Sequence, residues 1–388
     1  MEPVTHILTG ACLSRTGLNR RAAYTTLAMA IAAELPDIDT LWSLRGSVAG
    51  FQHHRGITHT FVGIPFEAAL VVAAIYGLHR WRTARAQRLV PPPPASQDDH
   101  VPAPHPLTAA PVRWGLLYLF TLLALLSHLL LDYTNNYGLR PFFPFDGHWY
   151  AGSIVFIFDP AIFLFLLAAL ITPALIRLVN AEIGARAETF HGRRLAIAAL
   201  AGIVLLWSLR AFEHFRAINL ADTQSVQAPE NPAPGNIVSS LVATAAAPSA
   251  PPPVFLQPQR VLASPDIFNP FRWHVATDFG PVVQLSEVDS AAGILTPANG
   301  LMAKPERSPE LVAAMGSPLG RVYMDWSAMP VIDVGKATEP GEPTVIMFRD
   351  ARFLSGFAFL GDHTPLTGMV ELDAHHHVVS QSLDGRIE

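Results

Sequence analysis

The feature that most constrains this fold is a series of long apolar runs, at residues 61–78, 115–131 and 154–179, almost free of charge. A bilayer's hydrocarbon core is about 30 Å thick, so a helical span takes roughly 20 apolar residues. The three runs are expected to cross, and the run at 195–209 is expected to follow them. Residues 22–35 stop at Pro36 and fall short of a span unless their flanks contribute. No small-residue cleavage site follows that run, since Glu34-Leu35-Pro36-Asp37 fits none, so it is read as staying in the membrane rather than as a signal peptide.

Charge divides the chain in two. Residues 1–220 carry 17 Arg against 13 acidic residues, whereas 221–388 carry 9 basic and 18 acidic residues. Charged residues make up 15% of the whole, below the roughly 25% of soluble proteins. The second half holds short β-rich runs (282–285, 321–324, 344–348 and 370–372) bounded by Gly, Pro and Asp. The expected architecture is therefore a membrane all-α bundle of about four to five transmembrane helices, followed by a small soluble β or α+β domain. The boundaries read as 1–220 for the membrane-embedded part, 221–253 for a Pro/Ala-rich linker and 254–388 for the soluble part. A second Pro-rich loop covers 91–106.

Arg80, Arg82, Arg85, Arg88 and Arg113 surround one connection, and Arg177, Arg186, Arg193 and Arg194 lie in another. By the positive-inside rule these loops are cytoplasmic, which puts 36–58, 133–153 and the acidic C-terminal half outside. Trp81, Trp114, Trp149 and Trp207 flank apolar runs and read as interfacial anchors. Trp273, Trp326 and Phe353 read as core of the soluble domain. The charge pattern has no basic nucleic-acid footprint. The single Cys12 excludes a disulfide framework or a Cys-rich metal site, so a metal here must use imidazole and carboxylate.

Such ligands cluster in the first third of the chain. His128 and Asp132 stand i,i+4 and share a helix face. Pro36-Asp37-Ile38-Asp39 presents two carboxylates from a turn. In His53-His54-Arg55-Gly56-Ile57-Thr58-His59, Gly56 permits a bend, Thr58 is expected to cap the next helix and His59 to lie in its first turn. Arg55 is suited to hold a phosphate or carboxylate group. His6 precedes a stretch too brief to cross and is a further candidate. Each piece has a bland reading: a capping Asp, a satisfied His or a solvated turn. Yet ionisable groups beside hydrocarbon are costly unless they share a partner, and six of these seven fall on one predicted face. Mixed carboxylates and imidazoles suit one or two divalent ions, zinc first, with manganese or iron as alternatives. Such centres typically run hydrolysis through a metal-activated water. Asp159, before Pro160, reads equally as a helix cap or an extra ligand. The His375-His376-His377 run, Asp146 and His148 read as ordinary surface residues.

Thr5-His6-x-x-x-Gly10, Pro36-Asp37-Ile38-Asp39, His54-Arg55-Gly56-Ile57-Thr58-His59-Thr60 and His128-Leu129-Leu130-Leu131-Asp132 resemble, in order, the YdjM-type family of membrane-bound metal-dependent hydrolases, which includes the YfhP-like proteins. The likeness continues through Thr134-Asn135-Asn136-Tyr137-Gly138, Pro144-Phe145 and Phe158-Asp159-Pro160, and departs at Ala151-Gly152, where relatives often carry an acidic residue. It covers roughly residues 1–220 and implies a multi-pass protein of the bacterial inner membrane. It also implies a metal site drawn from His6, Asp37, Asp39, His54, His59, His128 and Asp132. The leading expectation is an integral membrane hydrolase acting on a lipid, lipid-linked or phosphoester substrate, with Asp39 assisting as base and Arg55 orienting the substrate. The alternative is a non-catalytic scaffold or sensor, with a structural metal and a partner-binding C-terminal domain.

Overall fold

The computed structural model describes residues 1–89, 105–183, 192–228, 254–298, 300–335, 342–354 and 364–387. Helix α1 (Pro3–Arg15) starts on the Glu2 side chain, which accepts from the Val4 and Thr5 amides, with Pro3 in the first turn where a missing N–H costs nothing. Helix α2 (Thr25–Glu34) is the first apolar run of the sequence. It gives way at Pro36 to a 3-10 segment, Leu35–Arg45. Next come α3 (Ser47–His53), a 3-10 turn (Ile57–His59), α4 (Ile64–Leu89), α5 (Trp114–Thr134), α6 (Pro160–Glu182) and α7 (Arg193–Asp222).

Among the described residues α5, α6 and α7 are long and apolar enough to cross a membrane, and a fourth span exists if the pair Ser47–His59 and Ile64–Arg88, bent by 83°, is one crossing. At ten residues α2 is too short to cross alone; it packs instead against α1, α4 and α5. Its contact face is built of Ala28, Met29, Ala32 and Ala33, all fully buried. Small residues let helix backbones approach closely. Gly10 of α1 meets this face: a Cβ there would lie 2.8 Å from that of Ala33 and closer still to the Met29 carbonyl oxygen. This contact accounts for the glycine four residues after His6.

Helix α7, about 45 Å long at 1.5 Å per residue, exceeds the roughly 30 Å of hydrocarbon. Its far end, at Ala217 and Ala221, packs against the buried Trp273 of the C-terminal domain. The stretch expected as the start of the linker is thus helix through Asp222, followed by β1 (Val226–Gln227), which pairs with β2 (Phe255–Leu256). Linker residues 229–253 and Pro-rich residues 91–104 lie outside the described residues.

The C-terminal domain contains two antiparallel sheets. One runs β3 (Arg260–Pro265), β4 (Arg272–Asp278), β5 (Val282–Asp289), β6 (Ile294–Pro297), with β7 (Met302–Ala303) also on β5. Helices α8 (Pro309–Gly316) and α9 (Pro318–Trp326) follow. The second sheet holds β8 (Pro330–Gly335), β9 (Thr344–Asp350), β10 (Gly368–Leu372), β11 (Val378–Leu383) and β12 (Arg386–Ile387), each beside the next. Residues 321–324, expected as strand, are helical. Ser317 caps α9 by accepting from the Gly320 amide, Pro318 opens it, and Leu319, Tyr323 and Trp326 recur at helical spacing on its buried face. The local apolar run hides that longer period.

This domain sits on the end of the bundle that carries the 3-10 segments. Arg352 donates to the Asn136 carbonyl (2.8 Å), Trp326 Nε1 to the Tyr137 carbonyl (3.3 Å), and Arg140 pairs with Asp325 (3.2 Å). Trp326 also meets Phe51 of α3 edge-on. Trp149, expected as an interfacial anchor, donates to Asp325 in the same interface.

Candidate metal centre

Two short elements converge on the end of α5. The last turns of α5 place His128 and Asp132 on one face, both fully buried. The 3-10 segment after Pro36 presents Asp37 and Asp39, and the turn Ile57–His59 inserts a fully buried His59. Between them Arg55 adopts a left-handed backbone (φ +53°), costly without glycine. Its amide donates to Asp39 Oδ2 (2.7 Å). Its guanidinium is held by Asp132 (2.8 Å), the Gly138 carbonyl (2.6 Å) and Asn135 (3.3 Å).

One ligand atom each from Asp37, His59, His128 and Asp132 fits within a sphere of mutual distances no larger than 4.8 Å. His128 Nδ1 donates to the Ala33 carbonyl (2.7 Å), and His59 Nδ1 lies 3.1 Å from Thr58 Oγ1 and 3.2 Å from Asp39 Oδ2. These contacts leave both Nε2 atoms facing inward, 3.1 Å apart. Around them stand Asp37 Oδ1, 3.2 Å from His59 Nε2, and Asp132 Oδ2, 3.4 and 3.5 Å from the two Nε2 atoms. Asp132 Oδ2 is buried without a hydrogen-bond partner among the described residues. Two imidazole nitrogens and two carboxylate oxygens converge on one point, and a cation at that point would satisfy all four. The donor set fits a divalent ion of the zinc, manganese or iron type.

The remaining predicted residues take different places. Asp39 lies behind His59: Oδ2 also takes Thr58 Oγ1 (3.2 Å), while Oδ1 meets His54 Nδ1 (3.2 Å). His54 therefore contacts Asp39 and stands outside the group of four. His6 is fully buried, stacks on His128 at 3.8 Å between centroids and brings Nε2 to 3.5 Å from Asp132. Burial alone would push the Asp37 and Asp39 carboxyls up. The histidines beside them, His59 for Asp37 and His54 with His59 for Asp39, override this and hold both below the usual carboxylate range.

Thr58 does not cap the next helix, because its hydroxyl serves Asp39. Thr60 does so, accepting from the Gly63 amide (2.9 Å), and His59 precedes α4 in a turn of its own. Asp159 caps α6 through the Ala161 and Ile162 amides and pairs with Arg210 (3.1 Å). His375–His377 lie in the β10–β11 turn, organised by Asp373.

A family model described as YdjM inner membrane protein matches residues 1–217, more than half of the 388 residues. The chain belongs to this YdjM family. The "Uncharacterized protein YfhP" of Bacillus subtilis (strain 168) is 26% identical over 178 residues, 44% of this chain and 45% of the relative, so the match spans less than half of either. No solved structure matches. The family match ends within α7, and the C-terminal sheets lie beyond it. All four converging residues lie inside it.

Two site residues carried no assigned role in the sequence. Asn135 is fully buried, donates to Asp132 (3.3 Å), and its Oδ1 accepts from the Tyr137 amide (2.9 Å) as well as from Arg55. The Tyr137 ring lies 4.7 Å from the Arg55 guanidinium. Their signal is local: Asn135 follows Asp132 by three residues where α5 ends, and Gly138 (φ +86°) turns the next carbonyl back onto Arg55. On the opposite side an apolar groove of about 470 Å³, lined by Ile7, Ile31, Leu35 and Ile38, runs to Glu34 and Asp37. Glu34 Oε2 is buried there without a partner among the described residues.

Proposed function

We propose that this YdjM-family membrane protein is a metal-dependent hydrolase whose ion is held by Asp37, His59, His128 and Asp132. The observation that carries the reading is the pair of inward-facing Nε2 atoms, each fixed by a hydrogen bond at Nδ1, beside two carboxylates. Histidines held in this way by outer partners are the usual form of imidazole ligands. When bound, a divalent ion supplies Lewis-acid activation of water and of the ester it attacks. His6, stacked on His128, restricts that ring and is the nearest further donor. Asp39 orients His59 and His54. Arg55 neutralises Asp132 and orients an anionic substrate group. His54, partly exposed, is placed to exchange protons with solvent.

The substrate class is an ester or phosphoester carried on an apolar chain. Support comes from the apolar surfaces that border the centre, among them the groove from the outside of the helices to Asp37, a low-dielectric path by which an apolar chain can approach. The arginine-rich connections favour a multi-pass topology with the centre and C-terminal domain on the outer side of the inner membrane.

Purified full-length chain, reconstituted in lipid nanodiscs, tests this by elemental analysis and by assay on short-chain esters and phosphoesters. About one equivalent of zinc, manganese or iron is expected, with hydrolysis that disappears in His59→Ala and Asp132→Ala. Wild type that purifies and refolds with added divalent ions yet binds none refutes the metal centre. Bound metal with no turnover on either ester class favours the scaffold reading over the hydrolase.

A further inference from the structure

Above the centre lies a second cavity, about 460 Å³, that belongs to neither half of the chain alone. Its floor is His54, Arg55 and Tyr137 of the membrane bundle, and Phe156 and Phe158 form one side. Its roof is Ile267, Phe353 and Leu366, contributed by loops of both C-terminal sheets. The volume is that of a small-ligand site, which typically occupies about 300–1,000 Å³. Its lining is predominantly apolar, with a cation at one end.

The polar end is chemically specific. Arg55 Nε is buried and has no hydrogen-bond partner among the described residues, although both Nη atoms have partners. A guanidinium donor buried without an acceptor is costly, and an anionic oxygen arriving from the cavity would satisfy it. The carboxylate of Asp384 also lines the cavity and accepts from the Thr367 amide (3.0 Å). A ligand without an acceptor would leave Arg55 Nε unsatisfied, a charged acceptor satisfies it most strongly, and a cation would meet the guanidinium.

The roof is rigidly indexed to the floor. Arg352 sits between Asp350 (2.8 Å) and the Asn136 carbonyl (2.8 Å), so the strand end that carries Phe353 is bonded to the loop that carries Tyr137. Asn135 in that same loop holds Arg55. Position of the apolar roof and position of the cationic floor are thus set by one chain of hydrogen bonds.

We propose that the C-terminal domain completes the substrate site: the cavity binds the apolar chain of a single-chain anionic amphiphile, and Arg55 takes its anionic head beside the metal centre. Ile267, Phe353 and Leu366 are then specificity-determining residues that measure chain length. The proposal rests on the reading of the cluster as the reacting centre, and names the substrate that the centre meets.

The test uses full-length chain in phosphatidylcholine nanodiscs and alkyl phosphates from butyl to octyl. Binding is read by equilibrium dialysis, referred to free aqueous concentration, with empty nanodiscs as background and metal content measured on the same preparation. Each methylene that enters the cavity is expected to tighten binding about fourfold, so octyl exceeds butyl on the order of 100-fold. Ile267→Trp, which fills the roof, should cut that ratio below about tenfold while butyl phosphate still binds. Ile267→Ala keeps the cavity open and should keep the chain-length dependence. Octyltrimethylammonium should show no binding above background. An unchanged ratio in Ile267→Trp, or equal binding of the cation, overturns the proposal. If wild type holds no metal yet shows the length dependence and its loss in Ile267→Trp, the cavity stands and the hydrolase reading falls. If metal and turnover are normal but no length dependence exists, the cavity assignment falls alone.

Discussion

Replacing Asp39 by Asn separates a residue that orients a ligand from one that is a ligand. In the wild type Oδ2 takes the Arg55 amide at 2.7 Å, Thr58 Oγ1 at 3.2 Å and His59 Nδ1 at 3.2 Å, while Oδ1 meets His54 at 3.2 Å. The backbone amide of Arg55 makes the shortest of these contacts, so the single carboxamide oxygen of the replacement side chain stays on that side and still accepts from His59. What changes is its charge. Hydrogen bonds to a charged acceptor contribute about 1.5–3 kcal/mol and neutral ones about 0.5–1.5 kcal/mol. The difference, about 1.4 kcal/mol, corresponds to a tenfold weaker hold on the imidazole orientation, at the lower edge of the roughly 10–100-fold range for such outer partners. Zinc affinity of Asp39→Asn should therefore fall about tenfold, measured by competition with a chromophoric chelator on the full chain in nanodiscs. His128→Ala, which deletes a ligand, should lose far more. The reasoning is refuted if Asp39→Asn binds zinc within threefold of wild type, because the contact with His59 is then idle. A loss as large as that of His128→Ala refutes it in the other direction and makes Asp39 a ligand.

The close approach of α1 and α2 predicts that Gly10→Val forces the helices apart and displaces His6 from His128. Thermal stability in detergent should drop, and overpacking of this kind costs about 1–3 kcal/mol; an unshifted melting curve would show that the helices separate freely. In the C-terminal domain Arg352→Met leaves Asp350 buried without its cation, a change that costs about 3–5 kcal/mol, and the double variant Asp350→Asn with Arg352→Met should recover much of that. Equal melting of the single and double variants would contradict it. Burial raises the Asp350 carboxyl, but Arg352 overrides this and holds it below its ordinary value. A carboxylate with a depressed folded-state pKa stabilises fully above its unfolded value of about 3.9 and loses that contribution as pH falls through the lower folded value. The domain should hence weaken on acidification below about pH 4, and Asp350→Asn, followed by near-ultraviolet dichroism, should flatten that dependence.

The division into a helical bundle and a β-rich domain was legible because hydrophobic run length and charge content are one-dimensional properties. So was the shared face of His128 and Asp132, which follows from 3.6 residues per turn. Other features depend on three-dimensional paths that no period encodes. The 3-10 course after Pro36 decides that Asp37, and not Asp39, meets the histidine Nε2 atoms. Thr58 and Thr60 both precede α4, and only the turn between them assigns the cap to Thr60. Asn135 acts through a loop that returns to a residue 80 positions earlier. Residues 321–324 misled because four residues are too few to reveal a helical period, whereas Leu319 through Trp326 suffice.

Charge balance bears on how many ions the centre takes. The side chains in mutual contact at the site include three carboxylates, Asp37, Asp39 and Asp132, and one guanidinium, Arg55. The three carboxylates and Arg55 sum to two negative charges in a buried site, an arrangement that burial heavily disfavours unless a cation or a protonated imidazole offsets it. One divalent ion cancels it. A second ion would leave two uncompensated positive charges, and of the remaining donors His6, Asp39 and His54 the last two already spend contacts on each other and on Arg55, Thr58 and His59. Arg55 thus supplies beside Asp132 the positive charge that a second ion would otherwise bring: it fixes and neutralises that carboxylate. On this argument the elemental analysis should return a metal-to-chain ratio near one, and removal of Arg55 is the change that would let it rise.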